Sequence, residues 1–293
     1  MELASYFQLL LSGITVGSIY GLTALGFTII FNTTGIINFA QGEFVMLGGM
    51  LAVFALKGFK LGVLPSIFIS VVVTTIIGAA IERITIRPVR GGAVLNLIIA
   101  TIGVSIFIRG VIMFVFGKDT YGFPQFTGDI PLTFWGVAIM PQSLWVIAVT
   151  VLLLLWLFFF FKKTIFGKAM LACSHDRKAS YLVGISVNKM VLASFAISAL
   201  VGAIGGAILT PITLTSYDVG IMLGLKGFSA CIIGGLGNPF GAAFGGIILG
   251  ILESFGAGLI SSAYKDAFAF FILLVLLFFR PTGLLGLSKI ERV

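Results

Sequence analysis

A succession of apolar segments, most of them about 20 residues long, constrains this chain more than any other feature. The segments fall at 7–31, 36–56, 61–81, 94–116, 136–161, 190–210, 221–235, 240–260 and 267–279. Hydrocarbon offers no water to backbone amides, so such segments must form helices or a closed barrel. Barrel strands are about half this length and alternate in polarity. The pattern therefore predicts an all-α bundle of eight or nine membrane spans, in a single domain over residues 1–293.

The composition places the chain outside the soluble class. Its 293 residues are 59% hydrophobic and only 10% charged, whereas soluble domains carry about a quarter charged residues. The net charge of +8 does not indicate nucleic-acid binding, because the basic residues flank apolar segments rather than alternating with aromatic ones. Two cysteines and one histidine leave almost no material for a disulfide framework, a metal site or histidine-based catalysis.

The basic residues predict the orientation of the chain in the membrane. Three polar stretches, 83–90, 162–189 and 280–292, hold 12 of the 18 Lys and Arg residues. Positively charged loops stay on the cytoplasmic side, so loop 162–189 and the C-terminus are expected there and the N-terminus outside. Segment 221–235 contains Lys226 and is short enough to be re-entrant. This orientation nevertheless requires it to cross.

Polar side chains inside apolar segments are costly and indicate function. Asn38, Gln41 and Glu43 follow Gly35 in the second segment. On a helix Asn38 and Gln41 would share a face while Glu43 points away. One interpretation is a broken segment that lines an aqueous path or gate. The alternative is that these groups cap a helix start near the membrane surface, where an acidic residue suits the helix dipole.

Two further charged residues lie within predicted spans. Arg109 is within about two turns of the outer end of its span, so we expect its side chain to extend to the interface. Glu253 lies in the middle of segment 240–260 and is assigned to the path or gate. We hypothesise that it pairs with Lys226 or Arg109.

No catalytic constellation is present in the sequence. The chain has no G-x-x-x-x-G-K-[ST] loop, so any ATP must be hydrolysed by another chain. The stretch GGLGNPF at 234–240 has a proline and no neighbouring lysine, which indicates a turn between membrane segments rather than a phosphate-binding loop.

Several motifs, in order along nearly the whole chain, resemble one family. They are GSIYGLTALGFTIIF at 17–31, GIINFAQGEFVMLG at 35–48, ATIGVSI at 100–106, GKAM at 167–170, DRKA at 176–179, GI at 184–185, GGLGNPFGA at 234–242 and RPTGLLG at 280–286. The chain resembles the LivH-type permease subunits of branched-chain amino acid ABC importers. This resemblance implies a location in the bacterial cytoplasmic (inner) membrane, surrounded by lipid.

The resemblance also implies partners and a coupling site. Such permeases work with a LivM-like second permease, two cytoplasmic ATPase subunits and a periplasmic substrate-binding protein. No cofactor is expected in this chain, since ATP and Mg would bind the ATPases. The stretch KASYLVG at 178–184 is similar to the coupling pattern Glu-Ala-Ala, three residues, Gly, but Lys178 and Ser180 depart from it. The expected coupling residues are Asp176, Arg177, Lys178, Ala179, Ser180 and Gly184.

Other interpretations stay open at this point. Loop 162–189 could be a solvated loop whose basic residues only set the topology. The cargo could be urea, an amide or an aromatic acid, since related permeases look alike. A stand-alone secondary transporter is a different class, which should show paired ionisable residues at the membrane centre. A membrane-embedded enzyme lacks the residues it would need.

Overall fold

A computed structural model describes residues 3–134 and 136–286. Trp135, and Lys289 and Arg292 in the predicted cytoplasmic tail, lie outside the described residues. Within those ranges the chain is almost entirely helical, as its apolar segments predict.

The helices follow the predicted segments closely. They are α1 (Leu3–Thr34), α2 (Gln41–Gly58), α3 (Val63–Ile81), α4 (Arg87–Val89), α5 (Val94–Phe116), α6 (Pro141–Lys163), α7 (Ile165–His175), α8 (Arg177–Leu182), α9 (Val187–Thr213), α10 (Val219–Gly234), α11 (Pro239–Leu259) and α12 (Lys265–Phe279). A π-helical turn at Glu82–Ile86 joins α3 to α4, and a 3-10 turn at Ser262–Tyr264 precedes α12. Strands β1 (Leu132–Phe134) and β2 (Val137–Ile139) form an antiparallel hairpin.

In the described part of the chain, seven helical stretches are long and apolar enough to cross a membrane. They comprise α1, α3 with its continuation, α5, α6, α9, α11 and α12 with its preceding turn. The two remaining apolar helices are α2, which begins with polar residues, and the shorter α10. The predicted total of eight or nine spans is reached only when these two interior helices are counted.

Two predicted segment boundaries are wrong. Segment 36–56 is helical only from Gln41, because residues 35–40 run as a non-helical stretch into the bundle. Asn38 therefore precedes the helix and cannot share a helical face with Gln41. Segment 136–161 is helical only from Pro141, since residues 137–139 form β2. Proline suits the first turn of a helix because its missing N–H has no partner there in any case.

As far as the structure describes them, the three basic stretches lie at one end of the bundle, called here the basic end. Arg90 contacts both Glu82 at the end of α3 and Asn188 at the start of α9. Arg177 on α8 donates a hydrogen bond to the carbonyl of Thr34 at the end of α1. At the opposite end, Gln8 near the start of α1 bonds the backbone of β2.

Helix α10 runs through the bundle in one direction and does not turn back, as a re-entrant segment would. Its residues pair in ascending order with those of α1, from Lys226 against Tyr20 to Cys231 against Thr28. Beyond its end, the tail at Leu284 bonds the carbonyl of Ile233. A one-way course to the basic end is what the predicted orientation requires of this short segment.

Glycine allows the central helices to approach closely. α1 and α11 form the most extensive contact in the bundle. A Cβ added to Gly17 would lie 2.7 Å from the Gly246 carbonyl oxygen, and one added to Gly13 would lie 2.6 Å from Ile251 Cα. No side chain larger than the hydrogen of glycine fits at these two positions. This packing holds α1 and α11 together at the centre of the bundle, around which α3, α5, α6 and α12 expose most of their apolar surface.

Candidate functional site

The non-helical stretch 35–40 brings three polar side chains into the bundle interior. Asn38, Gln41 and Glu43 are each at most 1% exposed. Backbone groups of the stretch bond to nearby side chains: Phe39 N donates to Thr101 Oγ1 at 3.3 Å, and Ala40 N donates to Asn38 Oδ1 at 3.2 Å. Non-helical backbone at membrane depth needs such fixed partners. The chain is therefore broken before α2, with Gln41 and Glu43 buried in the first turn of that helix and no side chain capping its start. That Asn38, Gln41 and Glu43 line a path or gate stays a prediction.

Gln41 ties the start of α2 to α9. Ser198 Oγ donates to Gln41 Oε1 at 2.5 Å, and Gln41 Nε2 donates to the Ser198 carbonyl at 3.4 Å. A Cβ on Gly26 would overlap the Gln41 amide, so the glycine of α1 makes room for it. These contacts give Gln41 a positioning role between three helices.

Glu43 forms an ion pair with Arg109 of α5. Arg109 Nε lies 3.2 Å from Glu43 Oε1, and Ser105 Oγ donates to the same oxygen at 2.8 Å. The expectation that Arg109 extends to the membrane interface is wrong, because its guanidinium turns inward to this buried carboxylate. An isolated charge at membrane depth is far more costly than a paired one.

The ion pair lines a cleft of about 160 Å³ between α5 and α10. Most of the other lining residues are apolar: Phe27, Phe39, Ile102, Gly220, Ile221, Gly224, Leu225 and Phe228. The Phe228 ring packs on those of Phe27 and Phe39, with centroids 5.9 and 5.8 Å away. An apolar cleft with a few converging polar groups is the usual form of a small-molecule site.

Glu253 lies in a different cluster, away from the residues that line the cleft. Its Oε1 is 2.9 Å from Lys226 Nζ and 3.2 Å from Lys265 Nζ, and it accepts a hydrogen bond from Tyr20 at 3.1 Å. Lys226 also lies 2.6 Å from Asp266. The hypothesis that Glu253 pairs with Lys226 is confirmed, and Arg109 is not its partner. The assignment of Glu253 to the transport path stays a prediction.

The expected coupling residues form a compact unit at the basic end. Asp176 caps α8, since its Oδ1 accepts from Lys178 N and Ala179 N at 2.8 and 3.1 Å. Gly184 follows α8 with φ of +85°, a conformation that glycine adopts without steric cost. Tyr181, Leu182 and Val183 at the tip of the unit are 73%, 84% and 76% exposed. Three exposed apolar side chains in a row indicate a contact surface.

The body of this unit is anchored on α1 and α6. Met170 and Cys173 of α7 pack in a core cluster with Leu25 and Ile29 of α1. Ser180 is buried, and its hydroxyl bonds the Asp176 carbonyl at 2.7 Å. Burial raises the pKa of the Cys173 thiol. The tip is thus exposed while its base is fixed to the membrane helices.

A second anchor at the basic end involves Arg90. It pairs with Glu82 and donates to Asn188 Oδ1 at 3.0 Å. Burial lowers the pKa of Arg90, while the nearby Glu82 carboxylate acts in the opposite direction. This anchor joins the end of α3 to the start of α9. In the sequence, only the presence of both charges near one span end pointed to it.

At the opposite end, two loops meet. Tyr121 and Thr215 exchange backbone hydrogen bonds of 2.8 Å in each direction. The loop after α5 and the loop between α9 and α10 therefore form one surface. Within the described residues, no group of three or more His, Cys, Asp or Glu side chains could hold a metal ion.

A helical membrane bundle with a mostly apolar internal cleft that holds an ion pair, and with a protruding apolar tip, has the features expected of a membrane transport protein. The family model described as "Branched-chain amino acid transport system / permease component" matches residues 9–277. The chain belongs to this family of transport permeases, and it is an integral membrane protein.

Curated relatives and one solved structure extend this comparison. The chain is 35% identical to the high-affinity branched-chain amino acid transport system permease protein BraD of Pseudomonas aeruginosa, over 100% of this chain and 99% of the relative. It is 32% identical to LivH of Escherichia coli K12, over 98% of each. The solved structure of PsaBC from Streptococcus pneumoniae in complex with Fab covers 96% of this chain and 97% of its own, with a TM-score of 0.52 at 14% identity. That likeness concerns the fold alone.

Proposed function

We propose that this chain is a transmembrane permease subunit of an ATP-driven importer for branched-chain amino acids in the bacterial inner membrane. The single observation that carries the proposal is the family match over residues 9–277, joined by relatives that share at least 32% identity over nearly full length. The basic end lies in the cytoplasm, as the positive-inside rule requires.

The partners in this proposal are a LivM-like second permease, two ATPase subunits at the basic end and a binding protein outside. The exposed tip Tyr181–Val183 fits an apolar cleft on an ATPase subunit. The joined loops at Tyr121 and Thr215 offer the binding protein one continuous surface. Exposed apolar faces of α3, α5, α6 and α12 contact lipid or the second permease. ATP and Mg bind the ATPase subunits.

Movement of the ATPase subunits reaches the cleft through contacts on one side of the bundle. When the tip is displaced, α7 carries the displacement to α1 through Met170 and Cys173. Arg177 pulls directly on the Thr34 carbonyl, at the point where α1 passes into stretch 35–40. That stretch positions Glu43 in the cleft wall. The cleft has two conformations in this proposal, and the state of the partner ATPases determines which of them is favoured.

Substitution of the tip tests the coupling role. Leu182→Asn should abolish co-purification of the ATPase subunits and ATP-driven uptake, because it places an amide in an apolar contact. Ile165→Asn is the matched control, since Ile165 in the same loop is equally exposed, at 85% against 84%. Equal recovery of the ATPase subunits with both variants would contradict the assignment of the tip.

The transport class has its own test. The tagged chain is purified from its membrane in mild detergent, and its associated proteins are identified by mass spectrometry. Two ATPase subunits and a second permease should be recovered, and uptake by the reconstituted complex should require ATP. Recovery of this chain alone, with ATP-independent uptake, would point to the stand-alone secondary transporter instead.

A further inference from the structure

The ion pair in the cleft is only half satisfied. Oε1 of Glu43 is occupied by Ser105 and Arg109, at 2.8 and 3.2 Å. Oε2 is buried and has no hydrogen-bond partner among the described residues. The guanidinium of Arg109 contacts Glu43 through Nε, and its side chain remains 26% exposed. Each member of the pair therefore has hydrogen-bonding capacity left for a further group.

The cleft around this pair has the size of a small metabolite. Its volume of about 160 Å³ is roughly five times a water molecule's share of liquid volume. The wall opposite the charges consists of Phe27, Phe39 and Phe228, whose rings pack together. A ligand that fits must be small, with an apolar part for the aromatic wall and a polar part for the pair.

We propose that the Glu43–Arg109 pair is exchanged for the two charges of a zwitterionic α-amino acid as it passes through the cleft. The ammonium group of the ligand binds Glu43, the carboxylate binds Arg109, and the branched apolar side chain lies on the phenylalanine wall. No covalent step is involved. This assignment rests on the proposed function and adds the residues that recognise the cargo inside the permease.

Charge balance gives the site its selectivity. A zwitterion replaces one ion pair with two and leaves no charge unpaired. A carboxylic acid without the ammonium group would bind Arg109 and leave Glu43 buried and unpaired, which is strongly unfavourable. An amine without the carboxylate would bind Glu43 and leave Arg109 without an opposite charge. Urea carries no charge and gains no ion pair with either residue. The site thus favours a zwitterion over urea and over acids that lack an ammonium group.

Two features of the backbone prepare Glu43 for this role. It lies in the first turn of α2, where the helix dipole favours a carboxylate. A Cβ added to Gly220 of α10 would lie 2.5 Å from Glu43 Oε2. The same Cβ would lie 2.9 Å from the Gly42 carbonyl oxygen, so Gly220 leaves room both for the free oxygen and for the backbone of α2.

The test uses the purified complex of this chain with its partner permease and ATPases, without binding protein. The thermal unfolding midpoint is measured with about 10 mM leucine, 4-methylpentanoate or 3-methylbutylamine, the last two each lacking one of leucine's charges. Leucine should raise the midpoint and the two analogues should not. Glu43→Gln and Arg109→Gln should remove the leucine effect. Glu82→Gln removes another buried carboxylate, which pairs with Arg90 at the basic end rather than in the cleft, so it should lower the midpoint itself but keep the shift with leucine.

Uptake and ATPase activity separate this inference from the proposed function. In proteoliposomes with binding protein, Glu43→Gln should reduce ATP-driven leucine uptake about tenfold or more, with ATPase activity within about twofold of wild type. If Glu43→Gln does not assemble, Arg109→Gln should give the same loss of uptake. Normal leucine uptake by both variants, or equal midpoint shifts with leucine and both analogues, would overturn the inference alone. Absence of ATP-driven leucine uptake by the wild-type complex would overturn the proposed function.

Discussion

Lys226, Glu253, Lys265 and Asp266 form a charged cluster. Its contacts predict how neutral substitutions at Lys226 and Glu253 should affect stability. Both side chains are almost fully buried, at 7% and 1% exposed. Removal of one partner from a buried pair costs about 3–5 kcal/mol, because the other charge is left uncompensated. In the Lys226→Met variant, Glu253 keeps its contacts with Tyr20 and Lys265, so we expect a loss near the lower limit of about 3 kcal/mol. The Glu253→Gln variant should lose a similar amount, since the opposite charge left beside Lys226 is the half-exposed Asp266, and its other contact is the neutral Tyr20 hydroxyl.

The double variant Lys226→Met with Glu253→Gln carries neither buried charge. Its free energy of unfolding should lie within about 1 kcal/mol of that of wild type, far from the sum of the two single losses. The difference between that sum and the observed change is the coupling free energy of the two side chains. For a chain of this size, each single substitution should lower the unfolding midpoint by about 6–10 °C. The midpoint is measured in detergent at one fixed scan rate, because unfolding of a membrane protein is governed by kinetics.

The neutral pair is a better test than charge reversal. In a reversed pair the acidic group would lie beside Asp266 and the basic group beside Lys265, so like charges would meet on both sides. Rescue by reversal should therefore be incomplete. If the double neutral variant loses as much stability as both single variants together, the two side chains are not energetically coupled and the reasoning fails.

Four further predictions concern the basic end and the bundle centre. Arg177→Ala should lower uptake while ATPase binding persists, because it removes the bond to the Thr34 carbonyl; uptake equal to wild type would contradict this link. Gly184→Arg should abolish uptake with insertion unchanged on membrane fractionation, since φ there is +85° and such a residue is strained. Gly246→Val should prevent stable assembly, measured by gel filtration, because its Cβ would collide with the backbone of α1. Cys173 is buried, and the pKa of its thiol is raised. Because the thiolate is the nucleophile, Cys173 should react slowly with maleimide near neutral pH and faster as the pH rises. Rapid labelling at pH 7 would show that the loop is open.

The sequence predicted the features that depend on hydropathy and charge alone. Apolar segments located the helices to within a few residues, apart from the starts of α2 and α6. The three basic stretches lie at one end wherever the structure describes them. Resemblance to a coupling pattern identified the unit capped by Asp176, although its departures at Lys178 and Ser180 gave no hint that Ser180 is buried.

The contacts between helices could not be predicted in the same way. In segments that are apolar on all sides, periodicity does not show which face meets which neighbour. Rotation is set instead by close approach at glycines, as between Gly17 and Gly246. That is why Arg109 was expected at the interface although it faces Glu43, and why the roles of Ser105 and Ser198 went unnoticed. Serine at such positions is also common in ordinary helix packing.

The internal start of α2 has a consequence for the order in which the chain is made. Gln41 and Glu43 enter the membrane early, but their partners come later: Ser105 is 62 residues beyond Glu43, and Ser198 is 157 residues beyond Gln41. Until then the start of α2 has no satisfied position in hydrocarbon. Newly made α2 must therefore wait at the interface or beside the insertion machinery, and it settles only when α5 and then α9 have been delivered. Chains that terminate before Ser198 should be recognised by membrane quality control as unfinished.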